Sequence, residues 1–496
     1  MIRRHEFSSL FAIALSCALA LVLTSCGGSQ ATDTTNRGDT TGTADAATTI
    51  AINAGEGQST TAGVAVATRP SVKVTTTKGN PASGVSVTFA VANGGGSITD
   101  SVQQTNTSGI ATVGRWTLGA AAGTNNTLTA SSTGLTGSPL TFTATGVASV
   151  FASLALGLGH SCGLTSGGVA YCFGDNTSGQ LGDNSTAQRL TPVAVSGGFA
   201  FASLTLGGGQ TCGLTNGGAA YCWGKNSDGQ LGDGSTTDRG TPLAVSGGIV
   251  FASLTAGTTH TCGLTSGGAA FCWGRNSAGQ LGDGSTTGRV TPVAVSGAHV
   301  FATLTAGGQH TCGKTSGGAA YCWGWNLDGQ LGDGSNTGST PGAVSGGLTF
   351  ASLIVGGFHS CGVTTGGDAY CWGYNSDGQL GDGTTTSRMA PTRMSTTVNF
   401  AKLTAGNYHT CGMTSGGSAY CWGHNPNGQV GDNSFTNRST PASVSGGLTF
   451  ANLIAGGDHT CGRTTGGTSY CWGQGNGQLG DGSLPARSTP GVVPNP

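Results

Sequence analysis

Apolar and polar positions alternate along most of this chain, in short runs cut by Gly, Ser, Thr and Asp. Val85, Val87, Phe89 and Val91 fall on one side of a period of two, with Ser86, Thr88 and Ala90 between them. Leu128, and then Leu140, Phe142 and Ala144, repeat the pattern. Successive side chains of an extended strand point to opposite faces, so each run predicts a strand with one buried face. Residues 48–147 hold several such runs and no cysteine, which predicts a small β-sandwich.

From Phe151 the chain repeats itself. Phe-Ala-x-Leu or a close variant begins at Phe151, Phe201, Phe251, Phe301, Phe350, Phe400 and Phe450, at a spacing of 50 residues broken by a single 49. Each unit contains four strand signals: the Phe-x-x-Leu run, a His-x-Cys run, a Tyr-Cys-Trp run and a Thr-Pro run. A period of this length with four short strands per unit predicts sheets stacked radially about an axis. The expected fold class is therefore all-β, a seven-bladed β-propeller over residues 148–496 preceded by an Ig-like β-sandwich.

The first 26 residues break the pattern. Arg3 and Arg4 precede an apolar stretch from Leu10 to Leu23, which reads as an export signal and not as part of the fold. The stretch ends Leu23-Thr24-Ser25-Cys26, which resembles the lipobox of bacterial lipoproteins. That resemblance implies cleavage before Cys26, lipid on its thiol, and a chain anchored to the cell envelope, at the outer membrane or cell surface. The alternative is an ordinary secretory leader with an incidental cysteine. Residues 27–47 are rich in Thr, Gly, Ser and Asp and read as a flexible tether.

Export changes how the cysteines are read. Of 16, Cys17 lies in the leader and Cys26 at its end, and the remaining fourteen enter an oxidising compartment. In the third unit, Cys262 and Cys272 are symmetric about Gly267. Direct opposition then requires a three-residue loop, Ser266-Gly267-Gly268, whose last position wants a left-handed glycine. Counting outward makes Cys262 and Cys272 a non-hydrogen-bonded pair, with Cα atoms about 4.5 Å apart, within reach of a disulfide. The same ten-residue separation predicts Cys162–Cys172, Cys212–Cys222, Cys262–Cys272, Cys312–Cys322, Cys361–Cys371, Cys411–Cys421 and Cys461–Cys471. On the other hairpin face, Phe271 falls opposite Gly263 and Trp273 opposite Thr261, so that large rings lie over small residues between blades.

Two further repeated residues invite chemistry. A histidine recurs as His160, His260, His310, His359, His409 and His459, with Gln210 in the second unit. Its cysteine neighbours are paired with each other and their spacing is not that of zinc ligands, so a structural hydrogen bond is expected and no metal or cofactor. The Asp of Gly-Gln-Leu-Gly-Asp faintly suggests a calcium loop, but the position of Asp228 is Ser178 and Ala278 in other units, and a turn is the better reading.

Positions that vary between units are free to recognise a partner. The residue after Trp-Gly is Asp175, Lys225, Arg275, Trp325, Tyr374, His424 and Gln474 in turn. The residue before the histidine is Gly159, Gly209, Thr259, Gln309, Phe358, Tyr408 and Asp458. The hairpin register sets Gln309 opposite Trp325, Phe358 opposite Tyr374 and Tyr408 opposite His424, all at the open end of the hairpin. Trp325, Phe358, Tyr374, Tyr408 and His424, with Gln309 and Arg275, form the expected partner-binding rim.

Two resemblances add to this reading. "NPASGVSVTFAVANGGGSI" followed by "TNTSGIATVGRWTLG" resembles the Ig-like domains of the invasin and intimin group, which implies a spacer. "AYCWGKNSDGQLGDGS", with Gly-x-x-His before it, resembles the regulator of chromosome condensation repeat, which implies a seven-bladed propeller. Chemistry is less constrained. Only 8% of residues are charged, the net charge is −1, and no basic run is present to neutralise a phosphate backbone, so a nucleic-acid partner is not expected. No Ser/His/Asp set or carboxylate pair stands out. The expected function is a non-enzymatic, surface-anchored binding protein with a monomeric head, its partner a protein or a cell-envelope glycan. An envelope hydrolase or lyase, or a structural surface protein, are the alternatives.

Overall fold

The computed structural model describes residues 45–62, 64–119, 123, 125–147, 150–335 and 338–496. The leader, Cys26 and the tether up to residue 44 lie outside the described residues. The structure is all-β, and among the described residues no helix is long and apolar enough to cross a membrane.

Residues Ala47–Val147 form the sandwich. One sheet orders Gln58–Thr61, Leu140–Val147, Asn125–Ser131, Ser86–Asn93 and Val102–Gln104; a second orders Ala47–Ala54, Ser71–Thr76 and Ile110–Thr112; and a short pair joins Ser97–Thr99 to Arg115–Thr117. Val87, Phe89, Leu128 and Phe142 of the first sheet meet Val72 and Val74 of the second in one buried core with Trp116. Ser86 and Thr88, the alternate positions, face solvent. The last residues of the expected tether belong to the sandwich. Ala47 already pairs with Thr76, and the Asp45 carboxylate accepts hydrogen bonds from Thr76 Oγ1 at 2.6 Å and from Thr77 Oγ1.

Beyond it stand seven sheets of four consecutive antiparallel strands each. In the third, the strands are Ser253–Ala256, His260–Leu264, Ala270–Gly274 and Arg289–Ala294. First strands of successive sheets are neighbours around the axis, and those of the first and seventh sheets, Phe151–Leu156 and Phe450–Ala455, are also adjacent, which closes the ring. The fourth blade is the exception to the four-strand regularity: its last strand is reduced to Gly342–Ala343.

The hairpin register is the same in every blade. Cys262 pairs with Cys272, Gly263 with Phe271 and Thr261 with Trp273, and Gly268 takes φ +80° in the turn. All seven cysteine pairs are disulfides, with Cα–Cα separations of 4.0–4.1 Å. The ring that covers Gly263, however, belongs to Phe251, two residues before the first strand; a Cβ at position 263 would lie 2.4 Å from it. Phe271 stands edge-on to Phe251, with ring centres 6.4 Å apart. Pattern alone assigned that role to Phe271 because cross-strand pairing within the hairpin does not reveal a ring arriving from the segment that leads into the neighbouring strand.

Blades pack face to face. Leu264 and Ala270 of the third blade, on its disulfide side, meet Phe301 and Trp323 of the fourth in an apolar cluster. Six of the seven hairpin tryptophan or phenylalanine positions are Trp, all fully buried, and the first blade has Phe173.

Candidate functional site

The repeated polar residues are structural, and they act between blades. The main-chain carbonyl of Gln230 accepts from Trp273 Nε1 at 3.0 Å and from Thr261 Oγ1 at 2.9 Å, both in the next blade. Thr311 Oγ1 likewise donates to the Gln280 carbonyl, so it accepts from His260 Nε2 at 2.8 Å. That direction places the imidazole proton on Nε2. The chain of contacts runs His160–Thr211, His260–Thr311, His310–Ser360, His359–Thr410, His409–Thr460 and His459–Ser161. Gln210 donates instead to the Gly257 carbonyl at 2.9 Å.

Each histidine Nδ1 is buried without a partner. It lies against the glycine three residues earlier; a Cβ on Gly257 would come within 2.6 Å of His260 Nδ1. Burial therefore holds the imidazoles neutral, lowering His160 and His260 to about 4 and His310, His359, His409 and His459 to about 3.

The aspartates also have a structural task. Asp233 Oδ1 accepts from Ser235 N at 2.9 Å and from Asn226 Nδ2 at 3.1 Å, while Oδ2 pairs with Arg239 at 3.0 Å. The whole arrangement recurs with Asp183–Arg189, Asp283–Arg289, Asp382–Arg388 and Asp432–Arg438, and the ion pair alone with Asp481–Arg487, where Gly475 replaces the asparagine. Sequence reading missed these ion pairs, although an arginine six residues after the aspartate was visible in six units. In the fourth, the 49-residue unit, no arginine stands between Asp333 and Pro341. The loop centre holds an amide donor, Asn226 Nδ2, which suits a hydrogen-bond network better than a cation. Among the described residues no group of three or more His, Cys, Asp or Glu is placed to hold a metal ion.

With the repeats assigned, the variable positions define a site. The loops after the first strands join around the axis by backbone hydrogen bonds: Leu158 N to Gly207 O, Gly208 N to Thr258 O, Thr258 N to Gly307 O, Gly308 N to Gly357 O, Gly357 N to Gly406 O, Asn407 N to Gly457 O and Gly457 N to Gly157 O. This closed ring surrounds an axial cavity of about 280 Å³. Above it opens a cup of about 270 Å³, whose walls include Thr259, Arg275, Gln309, Phe358 and Tyr408.

Phe358 and Tyr408 stack with centres 5.0 Å apart and planes 17° from parallel. Tyr374 stands edge-on to both, at 6.3 and 5.9 Å, and His424 lies 5.9 Å from Tyr408. The expected pairs are adjacent here: Tyr374 N donates to Phe358 O, His424 N to Tyr408 O and Trp325 N to Gln309 O. Trp325 does not join the ring contacts of this cluster. The cluster residues are half-buried by one another, not free on the surface.

Charge is distributed unevenly. His424 Nδ1 pairs with Asp377 at 3.1 Å, and Asp377 also accepts from Asn437. Burial, then Tyr374 and the carboxylates of Asp458, Asp377 and Asp328, lift the Tyr408 phenol above its ordinary range. Burial also raises Asp458. Arg275 faces this acidic side from the opposite wall. Arg275, Gln309, Phe358 and Tyr408 of the expected rim line the cup, whereas its concave shape, with Leu158, Thr258, Gly308 and Asn407 at the bottom, is set by the curvature of the ring and is not visible in a repeat pattern.

Comparison with known proteins agrees with this architecture. The RCC1-like domain family matches residues 204–495, and the regulator of chromosome condensation (RCC1) repeat matches residues 151–180. The chain belongs to the RCC1-like family of β-propellers. Among solved structures, human WBSCR16 is 19% identical with a TM-score of 0.59, covering 66% of this chain and 90% of its own. Prp20p of Saccharomyces cerevisiae is 21% identical with a TM-score of 0.60, covering 70% and 88%. Yeast RCC1 (Prp20) bound to Kap60 is 20% identical with a TM-score of 0.60, covering 70% and 85%. These likenesses establish the fold. No curated protein matches the chain.

Proposed function

We propose that this chain is a non-enzymatic binding protein that offers the cup-bearing face of its propeller to another protein. The observation that carries the reading is the Phe358–Tyr374–Tyr408–His424 cluster: three aromatics and an imidazole gathered at the mouth of the axis, at positions where the first two blades have Gly159, Asp175, Gly209 and Lys225 instead. Half-buried aromatics ringed by polar groups are the residues that dominate interface energies. The yeast RCC1 structure contains bound Kap60, and binding to Gsp1p and histones is described for Prp20p, so propellers of this kind serve as protein-binding scaffolds.

The sequence supports the rest of the proposal: export, a lipid anchor on Cys26, a tether, and the sandwich as a spacer that holds the propeller away from the envelope. A cell-envelope glycan is the second reading, favoured by tyrosine faces that can take a sugar ring. The test is affinity capture by the full chain, with partners identified and their binding measured, repeated with Tyr408→Ala and Phe358→Leu. A loss of about tenfold or more in affinity supports the proposal. Unchanged affinity in both variants overturns it.

A further inference from the structure

The cup contains a cation with no assigned work. Arg275 Nε donates to Ser277 Oγ at 2.9 Å, and its two Nη groups have no acidic partner among the described residues. The arginines that follow the loop aspartates are all ion-paired, so Arg275 differs from them in kind. Beside it in the cup, Thr259 Oγ1 is buried without a hydrogen-bond partner. A guanidinium edge next to an unused hydroxyl is a receptor for a carboxylate, which can take both Nη donors in parallel.

The cup also limits the form of that carboxylate. Its floor includes Leu158, Thr258, Gly308 and Asn407, which belong to the closed backbone ring about the axis. A chain can end on such a floor but cannot run through it. Phe358 and Tyr408 form the apolar wall across from Arg275. Asp377 and Asp458 act on Tyr408 electrostatically, and Asp377 contacts His424, so the Tyr408 side is unfavourable to an anion and Arg275 is the cation that lines the cup.

We infer that the cup receives the C-terminal residue of a protein partner: its free carboxylate on Arg275 and Thr259, its large apolar side chain against Phe358 and Tyr408. Capture of a terminal carboxylate is one of the recurring modes of peptide recognition, and it confers selectivity because the carboxylate and the apolar side chain are then carried on one residue, which no internal residue can offer. This inference rests on the protein-binding reading above and specifies its chemistry.

N-acetylphenylalanine serves as the probe, with N-acetylphenylalanine amide as its neutral counterpart and glucuronic acid as the acidic sugar. Binding to the full chain is followed by saturation-transfer NMR and titration calorimetry. The acid is expected to bind about tenfold more tightly than the amide, a difference of one charge-assisted contact. Arg275→Ala, an exposed position, abolishes that preference, whereas Phe358→Leu weakens acid and amide alike. Equal binding of acid and amide, a preference that survives Arg275→Ala, or tighter binding of glucuronic acid would each overturn the inference. The two proposals fail separately. Partner capture that falls with Tyr408→Ala but not with Arg275→Ala keeps the interface and removes the carboxylate.

Discussion

His459 and Ser161 are hydrogen-bonded at 2.9 Å although 298 residues separate them in the chain. They belong to the seventh and first blades, and their contact is part of the seam where the propeller closes. At this seam Ser161 Oγ donates to the Gln478 carbonyl at 2.8 Å, but Phe173 has no N–H to add. Every other interface has a tryptophan indole at that carbonyl.

Ser161→Ala should therefore cost more than Ser360→Ala. Both remove the acceptor of a buried histidine N–H, but after Ser360→Ala the Gln330 carbonyl keeps Trp372 Nε1 at 3.0 Å. Each unsatisfied buried group costs about 1–3 kcal/mol, so the difference between the variants should be about 1 kcal/mol or more. Urea unfolding followed by tryptophan fluorescence measures it. Equal midpoints would show that the seam is no weaker than the other interfaces.

Acid should destabilise the propeller earlier than its few carboxylates alone would. The six histidines are held at about 3–4 when folded and titrate near 6.5 when unfolded. Below 6.5 the unfolded chain binds more protons, so stability present above that pH is lost as pH falls toward about 4. Each histidine contributes at most about 1.4 kcal/mol per pH unit in that window. His260→Gln, which copies the second blade, should lessen the slope of urea midpoint against pH.

Within the aspartate loops the buried partner should matter more than the exposed one. The Asp233 side chain is 2% exposed and that of Arg239 37%. Arg239→Ala removes a partly screened pair and should cost about 0.2–1 kcal/mol. Asp233→Ala leaves Ser235 N and Arg239 without their acceptor, while Asn226 Nδ2 keeps the Ser235 and Thr237 carbonyls, and should cost about 1–3 kcal/mol in the same unfolding assay.

Replacing Cys262 and Cys272 together by Ala should lower stability by about 2–3 kcal/mol, the chain-entropy value for a loop of about 11 residues. Peptide mapping without reduction should find every hairpin cysteine joined to the one ten residues away. Pairing between blades would contradict the register.

The hairpin was legible because its symmetry is arithmetic: one centre at Gly267 fixes Cys262–Cys272, Thr261–Trp273 and the left-handed Gly268. The histidine was legible as structural, but not its partner, since Thr311 lies in the next blade and belongs to a different hairpin. Phe251 over Gly263 and the Asp–Arg pairs were missed for the same reason. They join strands or loops that alternation along one hairpin does not relate. The rim was read partly. Phe358, Tyr374, Tyr408 and His424 do meet, while Trp325 stands apart and Arg275 faces them across the axis.

Every blade is made from its own four consecutive strands, and no strand is lent across the closure. A unit of this kind can be copied, removed or re-ordered as one uninterrupted stretch of coding sequence. The chain could equally begin at any blade boundary and still encircle the same axis. The first and seventh blades meet at the junction whose contacts include Phe173, so a permuted chain opened between two tryptophan blades would move the join that lacks an indole donor into the middle of the sequence.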